Sequence, residues 1–64
     1  MPVHIDRVGL IAEMARRNIS CNKLVELSGV SRMTIIAVRG GKSCSQETAD
    51  KLAAVLGRDI IKEA

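Results

Sequence analysis

The sequence has no phenylalanine, tyrosine or tryptophan among its 64 residues. Its core must therefore come from Leu, Ile, Val, Ala and Met, which favours small, closely packed helices over a sandwich of aromatic-rich strands. The same absence removes the platforms on which splayed bases stack, and argues against single-stranded nucleic acid as a target. Histidine occurs once, as His4, and cysteine twice, as Cys21 and Cys44, without metal-ligand spacing. No metal site, cofactor or disulfide framework is expected, and both thiols are expected to be reduced. A single histidine near the N-terminus gives no Ser-His-Asp or Cys-His arrangement, and "GGK" at 40–42 lacks the glycine spacing of a phosphate-binding loop. Enzymatic activity is not expected. The opening "MPVHIDRVGLIAEMARR" lacks the charged leader, apolar stretch and cleavage site of a secretion signal, and no run approaches membrane-spanning length. No membrane association and a cytoplasmic location are the expectation.

A chain of this length has room for one domain, here residues 1–64, because a domain of about 60 residues buries only about 60% of the surface its unfolded form exposes. The net charge is +3, and its placement is uneven. Residues 1–20 set Arg7, Arg16 and Arg17 against Asp6 and Glu13, and residues 45–64 set Lys51, Arg58 and Lys62 against Glu47, Asp50, Asp59 and Glu63. Residues 21–44 set Lys23, Arg32, Arg39 and Lys42 against Glu26 alone. An excess of positive charge on one segment suits a polyanionic partner. A few solvated side chains are the other account of the same charges.

Helical spacing predicts a first helix over Ile5–Arg17, with Val8, Leu10, Ile11, Met14 and Ala15 as its apolar positions. Asn18 is placed as a left-handed stop, Ile19 turns back to the core, and Ser20 caps a second helix from Cys21 to about Ser28 that buries Leu24 and Leu27. Gly29 is expected at positive φ, Val30 in the core, and Ser31 as the cap of a third helix over Arg32–Arg39, stopped by Gly40 and Gly41. Ser45 caps a fourth helix, "QETADKLAAVL", whose Ala49, Leu52, Ala53 and Leu56 form one stripe. Gly57 ends it. "RDIIKEA" is expected to make one last short turn, so that the expected fold is all-α, five short helices around one core.

Two short helices joined by a three-residue turn containing glycine are the sequence signature of a helix-turn-helix, here about residues 21–39. In such a unit the second helix can lie in the roughly 12 Å major groove of B-DNA while the first braces the backbone. Projected at about 100° per residue, the third helix turns Ser31, Ile35 and Val38 to the core. Met33, Ile36 and Ala37 fall opposite, flanked by Arg32 and Thr34. An outward apolar stripe beside an arginine calls for a partner surface. In a major groove Met33, Ile36, Ala37 and the Thr34 methyl can meet thymine methyls, and Arg32 can bind a guanine edge. An apolar surface of another protein is the other occupant these residues allow.

From about Leu10 to Asp59 the chain resembles the phage repressor and Cro-type helix-turn-helix domains, the xenobiotic-response-element-like family. The resemblance rests on "LVELSGVSRMTI", on "GGK" closing the third helix, and on "SQETADKLAAVLG". It implies a lambda-repressor-like domain that reads double-stranded DNA with the third helix, as a homodimer on a palindromic operator. It carries base contact onto Arg32, Met33 and Ala37, with Ile36 and Thr34 beside them. It carries phosphate contact onto Cys21 and Asn22 at the second helix's start, and onto Lys42 and Ser43 in the following loop, with Ser31 and Arg39 as further candidates. The size and the resemblance together suggest a repressor from a phage, plasmid or other mobile element. An antitoxin-like protein, binding a toxin with the same helix, is the alternative.

Several positions depart from the family's pattern. Val25 stands where a small alanine is common, and Met14 and Arg39 stand where many members pair an arginine with a glutamate. Arg39 is thereby left to reach a phosphate. The polar residues usual on the reading helix are replaced by Met33, Ile36 and Ala37, so an operator does not carry over from relatives. Ile60 and Ile61, with the outer side of the fourth helix, are the candidate dimer surface, unless both isoleucines close the core.

Overall fold

Three serines and a left-handed glycine mark where the helices begin and turn. The structure, a computed structural model, describes residues 2–62. The oxygen of Ser20 accepts from Lys23 N at 3.2 Å, that of Ser31 from Thr34 N at 3.3 Å and that of Ser45 from Thr48 N at 3.2 Å. Each bond satisfies one of the backbone donors that a helix start leaves free. The helices are α1 (Arg7–Arg16), α2 (Cys21–Ser28), α3 (Arg32–Arg39) and α4 (Gln46–Leu56). Asn18 turns the chain out of α1 at φ 55°, and Ile19 packs half-buried against the core.

The chain is mostly helical, as expected, but among the described residues it has four α-helices and a small two-stranded sheet where five helices were expected, and it differs at both ends. The first helix begins at Arg7, because His4–Ile5 is a short strand, β1, paired antiparallel with β2 (Ile61–Lys62). His4 faces Lys62 and Ile5 faces Ile61. The anticipated last helical turn is a single 3-10 turn at Arg58–Ile60 that leads into β2; Glu63 and Ala64 lie outside the described residues. Asp6 N donates to Ile60 O at 2.7 Å, and Val3 exchanges both backbone bonds with Cys44, at 2.7 and 2.8 Å. The β-branched side chains of Val3, Ile5 and Ile61 suit such pairing, but the partner of each lies dozens of residues away.

Leu10, Leu24, Ile35, Leu52, Leu56 and Ile60 are completely or almost completely buried and form the centre of one apolar cluster, which Met14, Val30, Val38 and Ala49 extend. Among the described residues no polar side chain is buried. The stripe expected on α4 is the one observed. On α1 only Leu10 and Met14 face inward; Val8, Ile11 and Ala15 are exposed. Those three form a second stripe, rotated by roughly 110° from the first at 100° per residue, and periodicity did not distinguish the two. Leu27, expected in the core, is also exposed, because Leu24 and the half-buried Cys21, Val25 and Ser28 occupy the inner side of α2.

The turn from α2 to α3 is braced by its own side chains. Gly29 has φ 76° and ψ 7°, and its N–H donates to Val25 O at 2.9 Å. Ser28 Oγ donates to Leu24 O at 2.6 Å and accepts from Val30 N at 3.2 Å. Val30 is thereby pinned in the core, and α3 starts two residues later. No helix among the described residues is long and apolar enough to cross a membrane.

Candidate nucleic-acid interface

Burial divides α3 cleanly. Ile35 and Val38 are shut into the core, Thr34 and Ala37 are half-buried at its border, and Arg32, Met33, Ile36 and Arg39 are exposed. Met33 is 77% and Ile36 48% exposed, so the outward apolar positions named from the sequence do face outward, with Ala37 set back beside them. Ser31 does not join the core side as expected. It is exposed at the cap, where its hydroxyl donates to Thr34 Oγ1 at 2.9 Å while accepting the Thr34 N–H. Thr34 and Ser31 are thus tied to each other, leaving the Thr34 methyl and its own O–H without a partner among the described residues.

The start of α2 and the end of α3 meet through two of the named side chains. Arg39 Nη1 donates to Cys21 Sγ at 3.0 Å. Arg39 commits one N–H to this bond, which brings its guanidinium to the first turn of α2, and Arg39 and Asn22 are both exposed. The first backbone N–H groups of α2 precede the intrahelical ladder, so a cation and a set of donors converge on one spot. An oxyanion is the group that such a spot accommodates.

Beyond α3, Gly41 takes φ 99° and Lys42 N returns to Ala37 O at 3.0 Å. Lys42 and Ser43 project from this loop, both exposed. Arg7, also exposed, lies near this loop, a neighbour that the sequence does not announce. The stem of Arg7 passes beside the loop, with its Cδ 4.0 Å from the place a β-carbon on Gly41 would occupy. Nothing local to residue 7 reveals this, because the contact depends on Val3 bridging to Cys44. Arg7, Arg58 and Lys62 line an open groove of about 760 Å³ next to the sheet, along with His4 and Gln46. Arg58 is paired there with Asp50 at 3.4 Å.

Ile60 is corrected as a dimer residue: it is fully buried in the chain's own core and offers no surface to a second copy. Ile61 is half-buried opposite Ile5. Both cysteines are free and half-buried, and burial pushes the Cys44 thiol above its ordinary range. Among the described residues no group of three His, Cys, Asp or Glu side chains is gathered to hold a metal ion. Compared with known proteins, the chain matches no family model, no curated protein and no solved structure.

Proposed function

We propose that this chain is a sequence-specific double-stranded DNA-binding transcriptional regulator, a helix-turn-helix domain with α3 as its major-groove helix. The observation that carries the proposal is the outward side of α3: exposed Met33 and Ile36 beside Arg32, on a helix held by a rigid glycine corner. Arg32, Met33, Ile36, Ala37 and Thr34 are the base-contact set. Cys21, Asn22, Ser31, Arg39, Lys42 and Ser43 are the phosphate-contact set, to which Arg7 is added. The positive excess of residues 21–44 supports the same polyanionic partner, and no catalytic step belongs to this function. The resemblance to phage repressor and Cro-type domains supports a repressor of mobile-element origin, acting as a homodimer. Two-fold pairing would place half-sites about 34 Å apart and roughly double the contact surface that one small module provides.

A second function has its own support. Val8, Ile11 and Leu27 are exposed as well as Met33 and Ile36, which suits a protein-interaction module or an antitoxin-like partner of a toxin. Selection of binding sites from a random duplex pool separates the two. A DNA regulator yields an enriched, palindromic duplex bound far more tightly than a scrambled one. Its affinity falls with salt, with a slope of log affinity of roughly −0.9 per neutralised phosphate. No enrichment at any salt concentration would overturn the DNA function in favour of the protein partner.

A further inference from the structure

The polar inventory of α3's outward side is short. Thr34's hydroxyl oxygen accepts from Ser31, and Arg39, at the far end of the helix, gives one guanidinium N–H to Cys21. Ala37 and Ile36 carry no side-chain hydrogen-bonding group, and Met33 only a thioether, a weak acceptor. Arg32 and the Thr34 O–H are thus the main donors this side can offer to base edges. A helix with so few donors distinguishes few bases by hydrogen bonds, because the donor and acceptor pattern of the major groove requires a matching group at each position read. The apolar side chains must supply the rest, and the apolar feature of that groove is the methyl on C5 of a pyrimidine.

We infer that α3 reads its site through C5-methyl groups, so that Met33, Ile36 and the Thr34 methyl seat thymine methyls and accept 5-methylcytosine in the same places. The inference rests on the DNA-binding function proposed above. Thymine and 5-methylcytosine differ at C4, where one has an acceptor and the other a donor, but an alkyl side chain pairs with neither and a thioether is only a weak acceptor. It responds to the methyl, which occupies the same ring position in both. Cytosine and uracil lack that methyl. Cytosine methylation would then raise affinity where an unmethylated cytosine is refused. The charge arrangement favours this occupant over an apolar protein groove: Lys23, Arg32, Arg39 and Lys42 stand on the same segment against Glu26 alone. An excess of positive charge on the segment that carries α3 suits a polyanion, which an apolar protein groove is not.

The test uses the duplex recovered by selection. Thymines in each half-site are replaced one at a time by deoxyuridine, and cytosines by 5-methylcytosine. Affinity is read by fluorescence anisotropy of a labelled duplex at fixed salt, for the wild-type chain and for Met33→Ala and Ile36→Ala. Both side chains are exposed, and circular dichroism checks that each variant keeps its helices. Removing one contacted methyl should weaken binding roughly fourfold, the effect of returning a methyl-sized apolar group to water. The variant lacking the contacting side chain should lose that sensitivity, and 5-methylcytosine at a contacted position should bind about fourfold more tightly than cytosine there. If a preferred duplex binds equally well with every thymine replaced by deoxyuridine, methyl readout is overturned while DNA binding stands. If no duplex is preferred over a scramble, the DNA-binding function itself fails and this inference with it.

Discussion

Gly29 and Gly57 both end helices at positive φ, yet substitutions at the two should behave differently. Gly29 has φ 76° and ψ 7°, in the left-handed helical well that Asn also visits. Gly57 has φ 94° and ψ 153°, in the extended region at positive φ that is nearly closed to anything but glycine. Neither is crowded. A β-carbon on Gly29 meets no atom within 4 Å, and one on Gly57 meets Arg17 Nη2 at 3.9 Å, an ordinary contact. Substitution therefore reads backbone strain with little steric contribution. Gly29→Ala should destabilise by about 1 to 2 kcal/mol, with Gly29→Asn recovering much of that loss. Gly57→Ala should cost about 1 to 3 kcal/mol, and Gly57→Asn should recover nothing. Each kcal/mol corresponds to a Tm lower by roughly 4 to 8 °C in a domain of this size. With no tryptophan or tyrosine in the chain, far-ultraviolet circular dichroism during thermal and urea unfolding is the suitable assay. Equal rescue by Asn at both sites, or no loss at either, would refute the assignment of strain.

Ser28→Ala removes both bonds that brace the corner and should lower stability by about 1 to 2 kcal/mol, measured by urea unfolding; a neutral result would show that the Gly29 turn holds without them. Ile60→Ala should cost about 2 to 5 kcal/mol at every protein concentration, because it opens a cavity in the core; a loss confined to self-association in analytical ultracentrifugation would contradict that placement. Burial favours the protonated Cys44 thiol, so the folded chain keeps that proton to higher pH than the unfolded chain. This contribution is full below the ordinary thiol range and is lost as pH rises through the raised value. Unfolding free energies across the alkaline range should show a slope that Cys44→Ala reduces. On a selected duplex, Arg32→Ala should lose about 1 to 3 kcal/mol and relax preference at one base position. Lys42→Ala should weaken all sequences alike and reduce the salt slope by about one. Equal losses on operator and random DNA for Arg32→Ala would remove Arg32 from the base-contact set.

What the sequence by itself determined is local. Ser20, Ser31 and Ser45 cap the helices that follow them, Gly29 turns left-handed, and the α4 stripe faces inward, because each depends on residues no more than a turn or two apart. Met33 and Ile36 were also legible as outward positions, since Ile35 and Val38 between and beyond them claim the core. The tertiary structure alone decided the rest. It chose Leu10 and Met14 over Val8 and Ile11 as the inner side of α1, and left Leu27 outside, although both stripes share one helical period. It drew Ile5 out of α1 to pair with Ile61, set Arg7 beside Gly41, and placed Arg39 on Cys21. These contacts join residues far apart in the chain and exist only in the packed arrangement of its elements, which is why neither period nor composition announces them.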